Sequence, residues 1–146
     1  MRALIQRISR GSVTVDQRIV ADEVGVGLMI FLGVGHEDNQ EKARILAKKI
    51  ANLRIFGDHE GKMNLSIQDI QGQAIVVSQF TLYADTKKGN RPSFIDAANP
   101  EKADQLVNYF ADQLRSFGIP TQQGEFAAHM VVSLVNDGPV TIWIEN

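Results

Sequence analysis

Only two stretches of this chain carry apolar residues at helical spacing, and that limits the architectures open to it. From about 39 to 53, Ala43, Leu46, Ala47, Ile50 and Leu53 recur every three or four residues, while Lys42, Lys48 and Lys49 fall off the stripe. Asp38 stands where an N-cap belongs. The second stretch opens on Asn99-Pro100-Glu101, a cap followed by proline at the first helical position. It carries Ala103, Leu106, Val107, Phe110 and Leu114 on one face, and Gly118 followed by Pro120 ends it. Each stripe buries one face only, so both helices need something to lie on.

The remaining periodic segments read as strands. Residues 3–9 and Ser12-Val13-Thr14-Val15 are separate strands, and Asp16-Gln17-Arg18 turns the chain into Ile19-Val20. Val24 to Val34 is longer, with Leu28 to Leu32 apolar throughout, as expected of a central strand buried on both faces. Gly25, Gly27, Gly33 and Gly35 fit neither a phosphate loop nor a dinucleotide-binding turn, and are read as strand-end and bulge glycines. Ala74-Ile75-Val76-Val77 is a buried strand, and Ile119 to Gln123 a short one. Two further apolar runs, Met130 to Val135 and Val140 to Ile144, flank the polar break Asn136-Asp137-Gly138-Pro139, most economically a tight turn. About seven or eight strands with two helices make the chain α+β, a largely antiparallel, partly barrel-like sheet with two main helices packed outside. Its 146 residues are expected to form one domain, 1–146.

Composition removes several function classes. There is no cysteine, which excludes disulfides, thiolate catalysis and cysteine-type zinc sites. A net charge of −2 argues against a protein whose main task is to coat nucleic acid, though not against a local basic patch. No run reaches the roughly 18 apolar residues of a membrane span. Met1 to Arg7 alternates polar and apolar residues and lacks a signal peptide's apolar core, so a cytoplasmic location is expected.

Candidate chemistry is sparse. His36, His59 and His129 lie in unrelated contexts, and none pairs with a nucleophile in a recognisable motif. His59, between Asp58 and Glu60, is read as part of an exposed turn, and neither metal nor cofactor is expected. What remains is hydroxyls and backbone. Ser78 and Thr81 stand three apart where a buried strand emerges, either as strand-end caps or as part of a cradle of donors for an oxyanion. The polar segment that follows holds Lys87, Lys88 and Arg91, either a solvated loop or a phosphate contact.

Ser78-Gln79-Phe80-Thr81 together with Asn136-Asp137-Gly138-Pro139-Val140-Thr141 resembles the paired signature of the D-aminoacyl-tRNA deacylases. Gln6-Arg7, Gly11 to Val15, Arg54-Ile55-Phe56, Gly61 to Asn64, Arg91-Pro92-Ser93-Phe94 and Gly124 to Asn136 extend the resemblance over essentially the whole chain. The resemblance implies a homodimer with its active site at the subunit interface. It implies hydrolysis of the ester that joins a D-amino acid to the 3′-terminal adenosine of tRNA, and of glycine mischarged on tRNA(Ala). Ser78, Gln79, Phe80 and Thr81 would be catalytic, and Lys87, Lys88 and Arg91 would hold tRNA. Gly138, Pro139, Met130 and Phe126 would bind the aminoacyl group. A cis Gly138-Pro139 bond would enter from the partner and reject L-amino acids through backbone carbonyls, a clash that would let glycine pass.

Two mechanisms stay open within that resemblance. Thr81 is a nucleophile in one, but the sequence shows no adjacent base. In the other, which we favour, N–H groups around Phe80 and Thr81 polarise the ester while the ribose 2′-hydroxyl helps activate water. One departure is His129, where the family commonly has aspartate; it is read as a tolerated surface or interface change. The competing readings are an RNA-binding module built on the basic loop, and a general Ser/Thr hydrolase lacking its base.

Overall fold

The computed structural model describes residues 1–146. Eight strands form: β1 Arg2–Val15, β2 Arg18–Val24, β3 Gly27–Gly33, β4 Phe56–Gly57, β5 Met63–Leu65, β6 Gln73–Ser78, β7 Thr121–Gln123 and β8 Val131–Glu145. Two helices, α1 Gln40–Ala51 and α2 Pro100–Ser116, and a four-residue 3-10 turn at Phe80–Tyr83 complete the chain. The α+β expectation holds. The main sheet is six-stranded and nearly closed into a barrel with one unsealed seam.

β1 is the spine. It pairs antiparallel with β3 over Arg2 to Ile8, with β2 over Gly11 to Val15, and along its other edge with β8. The break expected between residues 9 and 12 is absent, because β8 runs alongside the full length and carries the pairing past Gly11. β6 pairs parallel with both β3 and β7, so the sheet is mixed at that side. The β1–β2 connection is a tight turn in which Asp16 and Gln17 both have positive φ, +48° and +63°, matching the twist of a two-residue hairpin.

The long strand expected over Val24 to Val34 is instead divided at Gly25-Val26. Gly27, which restarts it, lies so close to β6 that a Cβ there would sit 1.8 Å from the Gln73 carbonyl oxygen. Only glycine allows that parallel pairing to begin.

Both helices cover one face of the sheet. Ala43, Leu46, Ala47 and Ile50 of α1 and Leu106, Val107, Phe110 and Leu114 of α2 share one apolar cluster with Ile5, Leu28, Ile30 and Val76. Phe110 is fully buried there, and truncating such a ring costs about 3–5 kcal/mol. A smaller cluster, with Ile8, Val13, Met29 and Ile75, fills the opposite face. α1 begins one residue later than expected: Asn39, not Asp38, is the N-cap, its side chain accepting from the Lys42 N–H at 3.0 Å. Asp38 is buried and occupied elsewhere. α2 ends as read, with Gly118 at φ +80° just past its last turn. Neither helix is long and apolar enough to cross a membrane.

Candidate active site

β6 is buried from Ala74 to Val77 and surfaces at Ser78. Gln79 keeps one more ladder bond, its N–H donating to the Leu32 carbonyl at 2.9 Å. The chain then tightens into the 3-10 turn, where Leu82 N–H donates to the Gln79 carbonyl at 3.2 Å and Ala84 N–H to that of Thr81 at 3.0 Å. Nothing within the chain accepts from the N–H groups of Phe80 and Thr81. The opening of a helical turn leaves such donors unpaired. Here two consecutive ones lie at the exposed end of a buried strand. The Thr81 hydroxyl oxygen accepts from the Gln79 side-chain amide. An amide N–H donates and cannot take up a proton, so that contact supplies no base.

Beside the turn opens a pocket of about 610 Å³. Leu32, Val77, Ser78, Gln79 and Phe80 supply one part of its lining. Phe94, Ala97, Ala98, Pro100 and Ala103 form a second wall, tied down where Ala98 N–H donates to the Val34 carbonyl at 2.9 Å. Phe126 to Met130 form the third, anchored where Gly124 N–H donates to the Val76 carbonyl at 2.9 Å. The Phe80 and Phe94 rings, both in the lining, meet edge to face at 5.0 Å. The volume suits a small organic group, and the lining is mostly apolar with no carboxylate. A cationic ligand group therefore finds no acidic side chain here.

The 3-10 turn is fastened from beneath. Tyr83 is buried, and its hydroxyl donates to Asp38 Oδ2 at 3.2 Å. Burial first, then the Asp38 carboxylate, push the Tyr83 hydroxyl far above its ordinary range, so it remains a donor. Asp38 also accepts from the Met1 ammonium at 2.7 Å, the Gly35 N–H at 2.7 Å and Lys42 Nζ at 3.3 Å. Burial pushes the Asp38 carboxyl up, but the Met1 ammonium, the Gly35 N–H and Lys42 outweigh it and hold the group below its usual range. Arg2 stacks over the Tyr83 ring at 4.2 Å and donates to the Leu82 carbonyl at 3.1 Å.

The polar break at Asn136 to Pro139 is not a turn. β8 continues through it, and Gln6 faces Thr141 while Ile8 faces Asn136, so residues 137–140 bulge out opposite Arg7 alone. The expectation of a turn fails because β1 runs past the break and pairs with the apolar runs on both sides of it. The bulge is closed by its own residues: Asn136 Nδ2 donates to Thr141 Oγ1 at 2.9 Å, and Val140 N–H donates to Asn136 Oδ1 at 3.2 Å. The Gly138–Pro139 peptide is cis, and Gly138 has φ +129°. Asp137, Gly138 and Pro139 are exposed.

Of the residues singled out from sequence, Ser78, Gln79, Phe80, Phe126 and Met130 line the pocket, and Thr81 adjoins it in the 3-10 turn. Gly138 and Pro139 are not among the lining residues. Lys87, Lys88 and Arg91 are exposed on a loop closed by pairing of Asp85 with Ser93, also outside the lining. His129, read as a surface or interface change, is exposed but stands in the pocket wall. His59 is exposed in the β4–β5 turn, and the His36 ring bonds to the Ile95 carbonyl. Sequence reasoning missed Phe94 as a wall and Arg2, Asp38 and Tyr83 as supports. A signal for the wall was present in Ala97-Ala98 and Ala127-Ala128, small residues that leave space beside two phenylalanines.

A family description for D-Tyr-tRNA(Tyr) deacylase matches residues 4–145. A D-aminoacyl-tRNA deacylase of Thermomicrobium roseum is 56% identical over 146 residues, covering 100% of this chain and 94% of that protein. The protein of that name from Chloroflexus aurantiacus is 58% identical, covering 100% and 91%. Among solved structures, one described as c-Myc DNA Unwinding Element Binding Protein superposes with a TM-score of 0.93 at 41% identity, covering 100% of this chain and 99% of the other. A probable eukaryotic D-amino acid tRNA deacylase shares the fold at TM-score 0.80 and 16% identity, covering 98% and 97%.

Proposed function

The chain belongs to the D-Tyr-tRNA(Tyr) deacylase family, and we propose that it hydrolyses the ester joining a D-amino acid to the 3′ end of tRNA. Residues 1–146 act as one deacylase domain in the cytoplasm, and glycine mischarged on tRNA(Ala) is a second substrate. The observation that carries the mechanism is the pair of free N–H groups at Phe80, which lines the pocket, and Thr81, beside it in the 3-10 turn. Two adjacent donors aimed at one oxygen stabilise the oxyanion that forms when water adds to an ester carbonyl. The water oxygen bonds to that carbon, the carbon–oxygen bond to the ribose breaks, and the ribose oxygen regains a proton as free amino acid leaves. With no base on Thr81, the proton taken from water passes to the ribose 2′-hydroxyl network of the substrate.

The active form is a homodimer in which the Asn136–Val140 bulge of one subunit reaches the pocket of the other. Three features support this. The bulge does not line its own chain's pocket, and that pocket has no carboxylate to meet an α-ammonium group. The β8 face also leaves Val131, Val135 and Trp143 exposed, an apolar stripe suited to a second copy. In the pocket, Gly138 and Pro139 carbonyls accept from the α-ammonium, and the same backbone collides with an L side chain while D-residues and glycine pass. Phe126 and Met130 pack on the aminoacyl group, and Lys87, Lys88 and Arg91 meet tRNA phosphates.

The test is paired. Thr81→Val keeps the backbone N–H and removes the hydroxyl, so kcat falls less than about tenfold, whereas a terminal 2′-deoxyadenosine lowers kcat about 100-fold or more, the range of proton-transfer catalysis. Abolition by Thr81→Val with the 2′-deoxy substrate unaffected establishes a Thr81 nucleophile instead.

A further inference from the structure

We infer that Arg2 and Tyr83 are positioning residues for deacylation, clamping the Phe80–Tyr83 turn so that its two free N–H groups keep a fixed aim. The inference rests on the reading of those N–H groups as the oxyanion site. A four-residue 3-10 turn has little internal stability, since its hydrogen bonds are few and strained. Something outside it must fix its orientation, and the structure shows three constraints meeting at its last two residues.

The first is steric. Tyr83 lies across the glycines at and just past the end of β3: a Cβ on Gly35 would come within 2.7 Å of the Tyr83 hydroxyl oxygen, and one on Gly33 within 3.2 Å of Tyr83 Cδ2. The second is the hydroxyl bond to Asp38, whose carboxylate is itself held by the Met1 ammonium and the Gly35 N–H. The third is Arg2. Its guanidinium covers the outer face of the Tyr83 ring, donates to the Leu82 carbonyl, and is aligned by Glu145 at 2.8 Å. Arg2 opens β1 and Glu145 closes β8, so the turn is tied to the start of the spine strand and the end of its partner.

None of these groups lines the pocket. Their effect on the reaction runs through the turn, and that predicts a particular split. A wandering oxyanion site binds ground-state substrate almost as well but loses transition-state stabilisation. Tyr83→Phe and Arg2→Met are therefore each expected to lower kcat on D-aminoacyl-tRNA about tenfold while KM stays within about twofold. Arg2→Lys, which keeps the cation over the ring, recovers part of the loss. In the same samples, backbone amide NMR reports the Phe80 and Thr81 N–H signals with a non-hydrolysable 3′-amide-linked D-aminoacyl-adenosine. In the wild type the analogue shifts both signals, and in the two variants those shifts shrink while amides of α1 and α2 stay in place.

Unchanged kcat in Tyr83→Phe and Arg2→Met, with the wild-type amide shifts present, overturns the positioning role alone. A loss in kcat accompanied by a lowered melting temperature and displaced α1 and α2 amides overturns it in favour of a general structural role. Absence of the analogue's shifts at Phe80 and Thr81 in the wild type removes the oxyanion reading, and the inference with it.

Discussion

Arg7 holds Asp137 from across the sheet: its Nε donates to the Asp137 carbonyl at 3.0 Å, and its guanidinium lies 3.6 Å from the Asp137 carboxylate. A second arm donates to the Ile55 carbonyl at 2.6 Å. One half-buried arginine thus ties the strand bulge to the neighbouring loop, and a planar fork suits that task better than a single ammonium. The crowding is close. A Cβ on Gly138 would come within 2.7 Å of Arg7 Nη2, in a backbone conformation with φ +129° that already favours glycine.

The bulge and the 3-10 turn are separate stretches, so on the proposed reading selectivity and rate are expected to come apart under mutation. Asn136→Ala removes both bonds that close the bulge. It is predicted to reduce the preference for D over L substrates about tenfold, close to 1.4 kcal/mol, while kcat on the D substrate changes less. Single-turnover rates on matched D- and L-aminoacyl-tRNA check this. Equal losses on both substrates mean that the bulge serves stability rather than choice.

Asp38 makes stability depend on acid. Its folded carboxyl titrates below the ordinary value, so its contribution is fully present above the unfolded value of about 3.9 and is lost as pH falls through the folded one. Wild type is predicted to exceed Asp38→Asn in urea midpoint at pH 7, with the gap narrowing below about pH 3.9. A gap that stays constant down to about pH 2 contradicts this. The other depressed carboxyls, Glu41, Asp58 and Asp69, are present in both proteins and cancel in the comparison.

The exposed cations at Lys87, Lys88 and Arg91 make no hydrogen bond to a side chain of the protein through their charged groups. Replacing all three with alanine is predicted to raise KM for tRNA substrate and to flatten the dependence of log KM on log salt by roughly 0.7–0.9 for each phosphate no longer neutralised. A minimal aminoacyl-adenosine substrate is not expected to respond. An unchanged salt slope means that the loop does not meet tRNA.

Much of this architecture was legible because periodicity reports burial. The stripes Ala43 to Ile50 and Leu106 to Leu114 both face the core they predict. The Asn99 cap and Gly118 were equally local signals, whereas Asp38 reads as the cap that Asn39 in fact supplies, since the two residue types cap equally well and only the buried partners of Asp38 separate them. What stayed hidden depends on residues distant in sequence. Asn136 to Pro139 has every mark of a turn, and only the unbroken partner strand β1 makes it a bulge. Phe94 and Phe126 line one pocket because β3 and β6 tie down their separate loops, a relation no spacing encodes. The clamp under Tyr83 joins residues 2, 38, 83 and 145, none of which carries a motif that points to the others.

On the proposed reading, a backbone filter and a backbone oxyanion site together make the chain a D-specific ester hydrolase, and the ratio of D to L cleavage measures both at once. The same tRNA, charged with the D and then the L form of one amino acid, is incubated with the protein, and kcat/KM is measured for release of each. The D ester is expected to be cleaved at least about 100-fold more efficiently, a difference of about 2.7 kcal/mol in transition-state stabilisation. Equal cleavage of the two esters contradicts it.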